Sequence, residues 1–192
     1  LITGILWYYS TTYKRQFLIG NILVSLLTAL VPLMVILYEM PLLNVKYGSI
    51  LIEHQTNFNR LLYWILAFSF FAFVTTLIRE IIKDTEDFEG DSAYGRNSLP
   101  IVLGINYTKL VLIILISGTI ASFAIIYLKY LTGFKFTLWY LIVFQIMPLI
   151  YLAFRIIRAN TKKDYTFASG FMKIIMLGGL LYSLVAAYNF LY

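Results

Sequence analysis

The stretch Arg79-Glu80-Ile81-Ile82-Lys83-Asp84-Thr85-Glu86-Asp87-Phe88-Glu89-Gly90-Asp91 carries six of the nine acidic residues in a chain of 192, all between Glu80 and Asp91. The sequence on either side is apolar enough to be membrane. An acidic cluster set between hydrophobic spans must sit in water, in a polar cavity or on metal ions, because a bare carboxylate in hydrocarbon is too costly.

Spacing sharpens this. If the stretch continues the helix that precedes it, Glu80, Asp84, Asp87 and Asp91 follow an i, i+4, i+7, i+11 pattern. At about 100° per residue they fall within an arc of about 60°, on one face. Glu86 and Glu89 point to the opposite side. Four carboxylates on one stripe repel one another, so the arrangement stabilises nothing by itself. Divalent cations relieve that repulsion. Oxygen-only ligands suit Mg²⁺, which commonly takes one or two carboxylates and keeps positions for water and a substrate phosphate. The plainer reading is a solvated acidic loop ended by Gly90. The single-face spacing, with Arg79 and Lys83 beside it, favours the metal.

Composition settles the class. The chain is 61% hydrophobic, 18% aromatic and only 12% charged, whereas soluble domains carry about 25% charged residues. Several apolar runs reach the roughly 20 residues that a bilayer span needs, and they are too long and uniform for the alternating strands of a membrane barrel. With no cysteine, disulfides, thiolate catalysis and Cys-based metal sites are excluded. The single histidine, His54, lies in a polar connection and reads as an ordinary exposed residue. The net charge of +6 is explained by basic loops at a membrane surface rather than by a nucleic-acid partner.

In order, Leu1 to about Ser10 reads as the tail of a truncated span, so an N-terminal portion is expected to be missing. A polar turn over 11–16 leads to a first complete span over 17–38, with Pro32 as a kink. Residues 39–59 read as a mixed connection, and a second span over 60–82 runs into the acidic stripe. Residues 92–99 read as a loop punctuated by Gly90, Gly95 and Pro100. Further spans are expected over 100–127, 136–157 and 167–191. The expected fold is therefore an all-α polytopic membrane helix bundle, a single membrane domain over 1–192, with about five complete transmembrane helices.

Basic residues orient it. Lys14, Arg15, Arg79, Lys83, Arg96, Arg155, Arg158, Lys162 and Lys163 gather on one side, against Lys46, Arg60, Lys129 and Lys135 on the other. Nine against four places the acidic stripe on the cytoplasmic side of the cell inner or plasma membrane. The pair Lys14-Arg15 serves as a topology signal or, equally well, as a diphosphate contact that shares the anion with a metal.

The segment Arg79 to Asp91, continued through Gly95, Ser98-Leu99-Pro100 and Gly104, resembles the second aspartate-rich motif of the UbiA-type intramembrane prenyltransferases. Tyr9 through Lys14-Arg15 to Gly20-Asn21 resembles the stretch ahead of that family's fifth helix. The likeness covers essentially the whole chain and looks most like the branch that transfers geranylgeranyl groups to geranylgeranylglycerol phosphate. It implies the last five helices of a nine-helix fold. The family's first aspartate-rich motif, of the Asn-Asp-x-x-Asp-x-x-x-Asp kind, is absent from these residues, so the fragment alone is expected to be inactive.

What the resemblance implies is Mg²⁺ held by Asp84, Asp87 and Asp91, with Asp87 and Asp91 foremost. Lys14, Arg15, Arg79 and Lys83 are its candidate diphosphate contacts, and Arg96 and Asn97 its candidate loop over the site. The substrates implied are an isoprenoid diphosphate and a lipid-like acceptor, a prenylglycerol phosphate before an aromatic one. Tyr13 and Tyr94 read as interfacial aromatics.

Rival readings fare less well. The CDP-alcohol phosphotransferases need an Asp-Gly-x-x-Ala-Arg core, which is absent. A transporter would place acidic residues near the bilayer midplane, and only Glu39 comes close, at a span end. A truncated homologue with a structural role stays open. The topology itself is testable: single cysteines introduced at Ser92 and Thr56 should be labelled from opposite faces by an impermeant thiol reagent. Labelling of both from one face would refute the span count.

Overall fold

The computed structural model describes residues 17–53 and 59–191. Tyr9, Tyr13, Lys14, Arg15 and His54, singled out above, lie outside these residues, as does the expected truncated span. Among the described residues every regular element is helical. Five helices are long and apolar enough to cross a membrane, over Ile19–Ile50, Leu61–Glu86, Ile105–Leu131, Lys135–Arg158 and Lys162–Ala187.

The first helix, α1 (Ile19–Glu53), differs from expectation. It runs unbroken through Pro32 and Pro41, so residues 39–53 are helix rather than connection. Each proline removes one intrahelical donor, and a membrane helix tolerates that where neighbouring groups re-satisfy the freed carbonyl. Pro41, Gly48 and the polar run over 53–57 signal a connection locally, yet Pro41 and Gly48 lie inside the helix, where Glu39 sits exposed.

α2 (Asn59–Glu86) is the hub, packing against α1, α5 and α8. Its Ile78, Ile81 and Ile82 are buried, with Leu112 and Ile116 of α5 and Met172 and Ile175 of α8 in the same cluster. Hydroxyls inside α2 close on its own backbone, as Thr75 Oγ1 donates to the Phe71 carbonyl at 2.6 Å and Thr85 Oγ1 to the Ile81 carbonyl at 2.9 Å. No polar group is then left facing lipid at those positions. A two-turn helix α3 (Phe88–Ala93) follows, and α4 (Leu99–Leu103) begins with Pro100 in its first turn.

α4 and α5 (Ile105–Ile126) meet at Gly104, whose φ of 82° and ψ of 159° end one helix and start the next. Only glycine takes that conformation comfortably, so the span proper begins at Ile105 rather than at the expected Pro100. A π-helical turn over Tyr127–Leu131 closes it. The fourth span is composite: α6 (Lys135–Leu141), a π-helical turn Ile142–Ile146 and α7 (Met147–Arg158). That turn presents Gln145 against α8 (Lys162–Leu191), where its amide donates to the Ile175 carbonyl at 3.2 Å. A Cβ on Gly178 would stand 3.1 Å from the Gln145 amide nitrogen and 3.3 Å from the Phe144 carbonyl oxygen, so the glycine allows a closer approach than a side chain would without a shift of its neighbours.

Two glycines separate backbone strain from crowding. Open space surrounds both Gly104 and Gly118, but only Gly104 has positive φ. Gly104→Ala should destabilise the folded protein by about 1–3 kcal/mol. Gly118→Ala, inside α5, should be neutral or stabilising by up to about 1 kcal/mol. Thermal unfolding in detergent checks the pair, and equal effects would refute the strain argument.

Candidate functional site

The acidic stretch is built as the end of α2 and the turn into α3. The helix breaks at Asp87, whose φ of −91° and ψ of 8° leave the α region. The hydrogen-bond ladder nevertheless continues across the break. Asp87 N–H donates to the Lys83 carbonyl at 3.0 Å and Asp91 N–H to the Asp87 carbonyl at 2.9 Å. The two bonds keep the i to i−4 ladder through the break.

Each carboxylate meets a different partner. Glu80 pairs with Arg79, with 2.5 Å between charged atoms. Asp84 is half-buried and accepts from the Asn21 amide of α1, Nδ2 to Oδ2, at 2.7 Å. Asp91 is 6% exposed and pairs with Arg96 at 2.8 Å. On the far side Glu86 accepts from two hydroxyls of α8, Thr166 at 2.8 Å and Ser169 at 3.0 Å. Asp87, half-buried, has no side-chain partner among the described residues. Lys83 and Asn97 are exposed, and Glu89 points to solvent.

Those partners divide the expected ligands. Asp87 offers both carboxylate oxygens. Asp84 has Oδ2 engaged and Oδ1 available, a geometry in which a neighbouring amide orients a ligand. Asp91 is neutralised by the guanidinium of the loop expected to cover the site. Among the described residues no three His, Cys, Asp or Glu side chains converge closely enough to hold a metal ion by themselves. Hard oxygen donors with room for phosphate oxygens and water still fit Mg²⁺, which needs only one or two carboxylates from the protein. A complete site would require further ligands.

Deeper along α2 lies a cavity of about 160 Å³, lined by Thr28 of α1, Phe71 and Thr75 of α2, Phe123 of α5, Gln145 of the π-helical turn and Met176 of α8 among others. Thr75 is nine residues before Asp84, roughly 14 Å along the helix axis. The walls are almost wholly apolar, and Phe71 stacks on Phe123 with ring centres 4.0 Å apart. Trp64, Phe68, Tyr140 and Tyr182 crowd its deeper end. The acids and the apolar cavity thus share α2, about 14 Å apart along its axis.

The basic residues at the ends of α7 and α8 are mostly engaged. Arg155 lies 3.7 Å from Asp164 and over the Phe167 ring, and Arg158 lies over the Phe154 ring. Asp164 also accepts from the Asn160 and Thr161 N–H groups, capping α8. Sequence reasoning passed over Asn21 as an orienting residue, because nothing local marks a contact between residues 63 positions apart. It also passed over Lys109 and Lys173, which fall inside spans and so escaped the loop count. Lys109 donates to the Ile157 and Ala159 carbonyls at the end of α7, a C-terminal cap.

Comparison with known proteins adds the following. The sequence pattern of the UbiA prenyltransferase family matches residues 1–177. The digeranylgeranylglyceryl phosphate synthase of Methanosphaera stadtmanae is 30% identical over 177 residues, covering 92% of this chain and 57% of that protein. The synthase of that name from Saccharolobus solfataricus is 30% identical over 200 residues, covering 99% and 60%. That from Methanococcus vannielii is 33% identical over 171 residues, covering 87% and 52%. The chain thus spans between half and three-fifths of the length of these three relatives. No solved structure matches.

The Glu86 contact is open to test. Replacing Thr166 by Val and Ser169 by Ala leaves a half-buried carboxylate without its donors. The double variant should lose about 1–3 kcal/mol of stability, and Glu86→Gln combined with it should lose less. Unfolding midpoints equal to the parent would show that the contact contributes nothing.

Proposed function

The chain belongs to the UbiA prenyltransferase family, and from that premise we propose that the protein transfers a prenyl chain from an isoprenoid diphosphate to a prenylglycerol phosphate. The observation that carries the reading is the group of carboxylates Asp84, Asp87 and Asp91 at one end of a helix whose deeper part lines an apolar cavity, among five helices fit to span a membrane. A prenyl diphosphate has the matching shape, a concentrated anion on a long hydrocarbon.

Asp87 and the free oxygen of Asp84 would hold Mg²⁺, with Asn21 keeping Asp84 turned toward it. Mg²⁺ would neutralise charge on the departing diphosphate, alongside cations of the protein. Arg79 and Lys83 lie on the same helix end. Arg96 holds Asp91 in the present arrangement, so Asp91 joins the metal only if the guanidinium turns to the diphosphate. As the carbon–oxygen bond to diphosphate breaks, an allylic cation forms among apolar walls that exclude water. A hydroxyl oxygen of the acceptor captures it and loses its proton. Lys14 and Arg15 remain proposed diphosphate contacts.

The acceptor follows from the relatives' names. An aromatic acid is the second reading, supported by other uses of this chemistry within the superfamily that the sequence resembles. In the intact protein, Asp87→Ala should lower kcat/KM by at least about 100-fold, as loss of a charge-stabilising group does, with the thermal midpoint retained. Turnover near that of the parent would sink the metal assignment. Membranes offered a labelled prenyl diphosphate should form product with prenylglycerol phosphate; product with 4-hydroxybenzoate alone would overturn the acceptor and leave the class.

A further inference from the structure

The cavity and the metal-binding acids lie on different sides of α2. Trp64, Phe68, Phe71 and Thr75, which line the cavity, fall within an arc of about 60° round the helix axis. Asp84 stands about 170° from the centre of that arc and Asp87 about 130°, whereas Glu86 stands about 30° from it. The contacts agree with the geometry. Asp84 bonds Asn21 of α1, while Glu86 bonds Thr166 and Ser169 of α8, the helix that supplies Ile175, Met176 and Tyr182 to the cavity wall. A prenyl chain whose diphosphate is held by Asp84 and Asp87 would leave along the opposite side of α2 and miss the cavity.

The wall defines the class of occupant. The Thr28 and Thr75 hydroxyls donate to the Val24 and Phe71 carbonyls, the Gln145 amide to the Ile175 carbonyl, and the Tyr182 hydroxyl to Thr137 Oγ1. Those donors are engaged within the protein, and the remaining wall is mostly aliphatic and aromatic. A charged or strongly polar group would lose its hydration there with little in return. The volume of about 160 Å³ is close to the roughly 150 Å³ of a dry apolar cavity that takes up benzene. It admits the end of a chain rather than a whole lipid.

Depth and access fit a chain from the bilayer. Trp64 and Thr75 lie about 33 and 16 Å from Glu86 along α2, inside the span Leu61–Glu86 and toward the leaflet opposite the acids. The lining runs from buried Phe123, Leu131 and Leu141 to Leu180 of α8, which is 67% exposed among the described residues. The cavity therefore opens sideways beside α8, at hydrocarbon depth. We infer that it is a binding site for the chain end of a bilayer lipid, separate from the site of the acids. An occupant supplies contacts that the facing walls otherwise lack, so the occupied bundle is the more stable one. The inference does not need the proposed reaction.

The experiment places the intact protein in vesicles of phosphatidylcholine that contain a small share of the same lipid with a photoreactive diazirine at the end of one chain. After irradiation the labelled residues are located by mass spectrometry. Parent protein should carry label on Phe68, Phe71 and Met176, and a diazirine at the glycerol end of the lipid should not reach them. Ala67→Leu and Ala72→Leu each add bulk to the cavity wall and should lower that label at least about fivefold, with label on exposed Leu177 retained. Excess Mg²⁺ with an unreactive prenyl thiodiphosphate should leave the label in place. Absence of label from the cavity wall of the parent would overturn the inference, as would undiminished label in both filled variants. Displacement by the thiodiphosphate would overturn it too, since the cavity would then house the chain of the substrate. Turnover is not read, so failure of the proposed reaction leaves the result standing, and the parent labelling and the competition decide even where a filled variant does not fold.

Discussion

A carboxylate near the edge of a membrane cannot be left bare, and the end of α2 concentrates six of them within twelve residues. The structure meets that constraint by giving the acids separate tasks. Glu86 takes two hydroxyls from α8, Asp84 takes an amide from α1, and Asp91 takes the guanidinium of the following loop. Three neighbouring segments are thereby tied to one helix end. Glu89 points to solvent, whereas Asp87 is half-buried with no side-chain partner among the described residues, and an unpaired charge of that kind marks where a cation is to be expected.

The same constraint explains why α2 is the hub. Between lipid-facing helices there is no hydrophobic drive to associate, so packing and interhelical hydrogen bonds carry the assembly. Ile78, Ile81 and Ile82 supply the packing one to two turns below the acids. The acids supply directional contacts at the end. Deeper in the bundle the close fit of Gln145 against Gly178 and Gly179 does the corresponding work. Between those two levels the cavity stays apolar, which a hydrocarbon chain requires and a carboxylate would spoil.

Much of this was legible beforehand, for physical reasons. Long apolar runs give membrane helices because backbone groups in hydrocarbon must bond within their own segment. The one-face spacing of Glu80, Asp84, Asp87 and Asp91 followed from helical geometry, and the backbone ladder continues across the break at Asp87. The extension of α1 through residues 39–53 was not legible, because prolines and scattered polar residues signal a turn locally while the helix continues. The Asn21–Asp84 bond depends on a contact that only the packed bundle defines. Gly104 was noted as part of the motif, but its positive φ and its role in separating α4 from α5 required coordinates. The orienting charges Arg155 and Arg158 are engaged by Asp164 and by aromatic faces, which no charge count reveals.

The central claim is that the α2 stripe is a metal and diphosphate site rather than a set of structural acids. The most direct measurement is a structure of the intact protein soaked with Mn²⁺ and an unreactive prenyl thiodiphosphate, with the metal located by its anomalous signal. The account predicts a peak within about 2.0–2.3 Å of an oxygen of Asp84 or Asp87, the range expected for hard cations on carboxylates, with the diphosphate on its open side. A metal and diphosphate bound elsewhere, with Asp84, Asp87 and Asp91 all unliganded, would contradict it.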